Sequence, residues 1–202
     1  MKRLFYIALF AFVVFLFAWY ALLDNRPVAY GIRIPKGYVV HGVDLSRWQG
    51  KVNWQVLEKM RSGEDSIRIT FAFIKATEGR SLTDSEFENN WREAAKTSII
   101  RGAYHYFIPS RDAGEQADNF IKNVKLSKGD LPPVLDVEKI GKKSATELRK
   151  NIKIWLKAVE KHYGIKPIIY TYIDFYEKYL RDGGLDEYPL WIAHYHRKSL
   201  NV

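Results

Sequence analysis

The chain has 202 residues, 47% hydrophobic, 27% charged and 15% aromatic, with a formal charge of +9, a balance that excludes a disordered or collagen-like protein. It has no cysteine, so a disulfide framework, a thiolate metal site, a cysteine nucleophile and a lipid-modified cysteine are all excluded. Setting aside an uncharged apolar run at 4–23 and a short tether leaves about 160 residues, enough for one domain with a real core and not for two.

The N-terminus reads Met1-Lys2-Arg3 and then twenty residues without a charge. A helix of that length rises about 30 Å, the thickness of the hydrocarbon core of a bilayer. The run ends Ala18-Trp19-Tyr20-Ala21-Leu22-Leu23, without the small-residue pattern of a signal-peptidase site. Residues 1–23 are therefore expected to be an uncleaved membrane anchor. Lys2 and Arg3 stay cytoplasmic, and the rest is delivered to the cell envelope, periplasmic or extracellular. The exported part remains basic, which suits anionic wall polymers or lipid headgroups; nucleic acid is not expected as a partner.

Residues 24–40, with two prolines and two glycines but no apolar period, read as a tether. From His41 to Val202, short apolar runs alternate with amphipathic stretches. Gly42–Ser46 is followed by Asn53 as a cap and by Val56, Leu57 and Met60 at helical spacing. Thr70–Thr77 is followed by Phe87, Trp91, Ala94 and Ala95 on one helix face, and Ile99–Phe107 by Ala113, Ala117, Phe120, Ile121 and Val124. Leu131–Glu138 precedes the capping-box pattern Ser144-Ala145-Thr146-Glu147, which opens a helix that Gly164 stops. Ile168–Tyr172 precedes a helix from Asp174 to Gly183-Gly184, and Leu190–Tyr195 is a sixth strand. Strand and helix alternating five times predict an α/β fold of parallel strands joined by right-handed crossovers. That is a TIM-like β/α barrel, irregular or incomplete, because eight units need about 200–250 residues.

In such a barrel the reactive side chains gather at the C-terminal ends of the strands. Asp44 ends the first strand, and Asp136 and Glu138, two apart, share one face at the end of the fourth. An apolar strand ending in two inward acids incurs a desolvation penalty that structure alone does not require. Clustered carboxylates without a thiolate or an evident metal set suit glycoside hydrolysis, in which one acid stays protonated and another stays ionised. Tyr104, Tyr106, Tyr170, Tyr172, Trp191 and Tyr195 fall on strands or their ends and are candidates to stack on sugar rings. His105 reads as a hydrogen-bonded strand-end residue, and the five histidines do not assemble a metal-dependent phosphodiesterase.

His41-Gly42-Val43-Asp44-Leu45-Ser46-Arg47-Trp48-Gln49-Gly50, with Val52-Asn53-Trp54 after it, resembles the opening motif of the family 25 glycoside hydrolases, the Chalaropsis-type lysozymes. Phe73–Gly79, Arg101–Phe107, Leu135–Glu138, Ile169–Thr171 and Leu190–Tyr195 are similar to its later blocks, in order. The resemblance implies an irregular β/α barrel over residues 41–202 that cleaves the β-1,4 bond between N-acetylmuramic acid and N-acetylglucosamine in peptidoglycan glycan strands. It implies Glu138 as general acid, Asp136 and Asp44 as supporting carboxylates, and no metal or organic cofactor. It leaves open whether a carboxylate attacks the sugar or Asp136 orients the acetamide of the substrate as nucleophile; the second route is favoured. Family members continue past the last block into a strand with a Trp-Gln pair and a further Asp, which are not found before Val202. The expectation is therefore a sheet open between its first and sixth strands, with Asp44 on the seam more exposed than Asp136 or Glu138. A catalytically weak or inactive, membrane-anchored peptidoglycan-binding module is the alternative.

Overall fold

The computed structural model describes residues 6, 9–10, 12–16, 19, 28–29, 32–33, 37–61 and 67–193. Much of the predicted anchor at 4–23, and Tyr195 with the end of the last motif, lie outside these. Among the described residues no helix is long and apolar enough to cross a membrane.

The chain divides into two compact units, Met1–His41 with Met60–Arg68, and Gly42–Lys59 with Ile69–Val202. In the first, the stretch read as a tether carries an antiparallel ladder of β1 (Val28–Ala29) and β2 (Ile32–Arg33), Val28 opposite Arg33 and Ala29 opposite Ile32. Two-residue strands hold too little alternation to register as a period.

The larger unit is an α/β sheet built from β3 (His41–Leu45), β4 (Ile69–Glu78), β5 (Leu82–Thr83), β6 (Ile100–Tyr106), β7 (Val134–Asp136), β8 (Ile168–Tyr172) and β9 (Leu190–Ala193). Its order is β3-β4-β6-β7-β8-β9, and the pairs from β4 through β9 are parallel. Among the described residues β3 and β9 stand at opposite ends of this order, an open sheet rather than a closed barrel. The unpredicted β5 folds back antiparallel on the end of β4, placing Thr83 opposite Thr77. The predicted strand at 131–138 shortens to three residues, because Pro132 and Pro133 have no N–H to give the ladder.

The crossovers are α1 (Trp54–Lys59), α2 (Phe87–Ala94), α3 (Ala113–Asn123) and α4 (Ala145–Tyr163). Three of these four starts carry a side-chain cap; α2 does not. The Asn53 side chain accepts from the Val56 N–H at 3.1 Å, and Asp112 from the Glu115 N–H at 2.9 Å. Ser144 and Glu147 close a reciprocal capping box, while Gly164, left-handed at φ 69°, ends α4. The predicted fifth helix, from Asp174 to Gly183-Gly184, is a short α5 (Ile173–Phe175) running into a π-helical turn at Tyr176–Leu180. Leu148, Ile152, Trp155, Leu156 and Val159 recur on one face of α4 and are fully buried, with Phe107, Phe120 and Leu135 in the same core.

Candidate active site

The site grows from strand ends. On β3, Leu45 turns into the core and its neighbour Asp44 is exposed. Tyr104 comes from β6, Asp136 from the last position of β7, Tyr170 from β8 and Trp191 from β9, adjacent strands in parallel register that pair Tyr106 with Asp136, Asp136 with Tyr170, and Tyr170 with Trp191. Glu138 lies two residues beyond β7. The connection stays extended because the Val137 N–H donates to the Tyr170 carbonyl at 2.9 Å, and Leu135 and Val137 are both fully buried on the opposite side. Alternation thus carries one position past the strand. A cavity of about 120 Å³ is lined by Asp44, Tyr104, Val134, Asp136, Glu138, Tyr170 and Trp191.

One wall is aromatic. Trp191 packs against Phe73 at 5.0 Å and meets Tyr170 edge-on at 4.8 Å. The floor is acidic. Asp136 is 9% exposed, and its Oδ1 is buried without a hydrogen-bond partner. Desolvation, then the charge of Glu138, pushes the Asp136 carboxyl up to about 8, against a smaller opposing pull from Lys75. Glu138, half-buried, is raised by desolvation, partly offset by Lys139; Asp44 is raised by desolvation from the protein atoms crowding its inner side. Desolvation and then the charge of Asp136 also raise the Tyr104 phenol, with a smaller opposing pull from the Ser46 side chain.

Six of the nine sequence-predicted residues therefore share one cavity: Asp44, Asp136, Glu138, Tyr104, Tyr170 and Trp191. Tyr106 sits beside it, with the Lys75 ammonium 4.9 Å and the Lys139 ammonium 5.4 Å from its ring centre. Tyr172 is not among the cavity residues. As the last residue of β8 it caps α5, packs on Phe175 at 5.5 Å and is 39% exposed. Tyr195 lies outside the described residues.

A model of the glycosyl hydrolases family 25 matches residues 43–201. The chain is 52% identical over 174 residues to the uncharacterized protein YegX of Escherichia coli K12, a match covering 86% of this chain and 63% of that one. It is 33% identical over 172 residues to lysozyme M1 of Streptomyces globisporus, covering 77% of this chain and 55% of that protein. A solved family 25 glycosyl hydrolase from Bacillus anthracis superposes with a TM-score of 0.74 at 36% identity, covering 83% of this chain and 76% of that one. The chain belongs to glycosyl hydrolases family 25. It spans about three-fifths of the length of the curated relatives it matches.

Sequence reasoning missed the basic side of this family 25 site. The Lys75 ammonium, 12% exposed, donates to Glu78 Oε2 at 2.6 Å, and both residues come from the end of β4, where a register shift between Lys75 and Thr77 interrupts pairing with β6. The available signal was a lysine inside the apolar run Phe71–Thr77. His105 is fully buried: Gln116 Oε1 accepts from its Nε2–H at 3.3 Å, leaving Nδ1 to accept from the Thr77 hydroxyl at 2.7 Å. Desolvation lowers its pKa to about 3, so it stays neutral, stacked on Trp155. Its role is in the core.

Proposed function

We propose that this family 25 chain is a peptidoglycan hydrolase, an N-acetylmuramidase that cleaves the β-1,4 bond between N-acetylmuramic acid and N-acetylglucosamine. The observation that carries the reading is the unpaired, buried Asp136 Oδ1 beside Glu138 in an aromatic-walled cavity. A buried acceptor without a partner is costly, and a substrate N–H relieves it. The lysozyme name of the Streptomyces relative agrees with this substrate.

In this reading Glu138 is the general acid and Asp136 the partner that orients the acetamide of the substrate. At neutral pH the raised pair retains a proton between them. When the acetamide N–H donates to Asp136 it favours the carboxylate there, so the proton resides on Glu138, next to the leaving oxygen. The acetamide oxygen then attacks the anomeric carbon as Glu138 protonates the departing sugar. Water opens the resulting cyclic intermediate, with Glu138 now accepting the proton. Asp44, at the open side, supports the developing positive charge. Tyr104, Tyr170 and Trp191 hold the sugar rings, and Tyr106, Tyr172 and Tyr195 belong to the wider binding surface. The apolar run at 4–23 behind Lys2 and Arg3 supports an N-terminal anchor that keeps the domain in the envelope.

Glu138→Gln keeps the shape but cannot donate a proton. Turbidity clearance of purified peptidoglycan should fall at least about 10²-fold, with fragment binding retained and new N-acetylmuramic acid reducing ends lost. Retention of more than about a tenth of wild-type activity, against the at least hundredfold effect of a general acid, would remove Glu138 from that role. A wild-type chain that binds glycan without producing new ends would be the binding module instead.

A further inference from the structure

Trp48 has no part in the cavity, yet it is 80% exposed, the most exposed aromatic side chain of the larger unit among the described residues. It sits in a one-turn 3-10 segment, Arg47–Gln49, that follows β3 directly. Trp48 is four positions after Asp44, so the two backbone positions are within about 14 Å.

The turn is held rigidly. The Ser46 N–H donates to Gln49 Oε1 at 2.8 Å, and Ser46 Oγ accepts from the Trp48 N–H at 3.3 Å. The Gly50 N–H donates to the Arg47 carbonyl at 3.0 Å. The Arg47 N–H donates at 3.0 Å to Asp84, a buried residue whose own N–H donates to the Ala76 carbonyl of β4. The Arg47 guanidinium stands 5.1 Å from the indole centre. A large apolar ring in water, on a backbone pinned at both ends, is a surface organised before anything binds it.

We propose that Trp48 and Arg47 form a sugar platform outside the cavity: the indole takes the apolar C–H face of an N-acetylhexosamine ring farther along the cleaved strand, and the guanidinium takes a carboxylate carried by that strand. The inference rests on the reading of the chain as a peptidoglycan hydrolase. The neighbours of Trp48 along the chain from Ser46 to Lys51 are Arg47, Gln49, Gly50 and the two ends themselves, none of them apolar, so the apolar surface of this turn is a single side chain. That is too small for a protein interface, which buries roughly 800 Å² per partner, and matches a single pyranose. Arg47 meets no carboxylate within ion-pair distance among the described residues, so its charge is available to the ligand.

The test measures equilibrium binding of purified N-acetylglucosamine–N-acetylmuramic acid di-, tetra- and hexasaccharides by calorimetry in the full-length Glu138→Gln chain, with wild-type lysis assayed in parallel. Trp48→Ala should weaken hexasaccharide binding about tenfold, the usual scale for losing an exposed aromatic anchor. The loss should grow with fragment length, and Trp48→Phe should restore most of it. Arg47→Gln should weaken these fragments, each of which carries the N-acetylmuramic acid carboxylate, and flatten their salt dependence, while leaving binding of N-acetylglucosamine hexasaccharide, which has no carboxylate, unchanged. Ile154→Ala, removing an exposed apolar side chain on α4, is the control and should change nothing. Unchanged melting temperatures exclude a folding effect. Lysis by the wild type with hexasaccharide affinity equal in parent and Trp48→Ala overturns the platform alone. No lysis by the wild type and no fragment bound by the parent overturns the hydrolase reading and the platform with it.

Discussion

Asp136 concentrates the electrostatic tension of the molecule in one carboxyl. Burial raises it to about 8 while the unfolded chain titrates near the ordinary carboxylate value, so between roughly pH 4 and 8 the native state holds the proton that the unfolded state releases. Stability from this group is full below about pH 4 and is lost as the pH rises through about 8. Asp136→Asn carries no ionisable proton and mimics the neutral form. It should unfold at higher urea than wild type at pH 8–9, with the difference vanishing by about pH 4, while lysis is lost throughout. Equal urea midpoints at high pH would mean that Asp136 is not the strained acid. The expense of keeping such a group is a functional signature, because an apolar residue would fill the same strand end without penalty.

At the scale of elements, the site depends on how closely neighbouring strands approach. A Cβ added at Gly102 on β6 would run into the Phe73 ring on β4 and press on Leu131. That ring packs on Trp191, the far wall of the cavity, so a glycine on β6 sets where an aromatic from β9 stands. Gly102→Ala is expected to destabilise by about 1–3 kcal/mol as Phe73 is displaced, and to weaken fragment binding as Trp191 follows it. Urea unfolding and calorimetry on the same variant check the two effects together. A stable variant with normal binding would show that Phe73 has somewhere else to go. The helices contribute differently: α4, the crossover from β7 to β8, buries a five-residue stripe, carries its own start and stop signals and supplies nothing to the cavity.

For the whole molecule, the open order of the described sheet leaves β3 and β9 as its two edges. The three acids are graded across it: Asp136 on central β7 is buried, Glu138 just beyond is half-buried, and Asp44 on edge strand β3 is exposed. This gradient follows from position in the sheet, since an edge strand has one neighbour and β7 has two. It keeps the acidic floor dry at one end and wet at the other, the arrangement needed for both a proton donor and a solvated carboxylate. The N-terminal run makes a separate prediction at this scale. Membrane fractions should retain the full-length chain through high-salt and carbonate washes, and protease added outside should release the domain. A soluble form starting near residues 21–30 would show that the run is cleaved.

Much of this protein was legible in its residues because the signals are local. The capping box at Ser144, the left-handed stop at Gly164 and the stripe on α4 act within a turn or two of chain, and they formed as the spacing predicts. Asp44, Asp136 and Glu138 stood out for a similar reason: charges at the ends of apolar runs have a cost readable along the chain. Contacts between distant segments were decided only in three dimensions. The unpaired oxygen of Asp136 and the Asp84 tie that fixes the Trp48 turn depend on strand register. Tyr172 shows the same limit, since parity grouped it with Tyr170 until β8 ended and turned it onto Phe175. Local free energies are set by a few neighbouring residues, so composition and spacing determine them. Burial, and with it the chemistry of a carboxyl, depends on what the remainder of the chain packs against it.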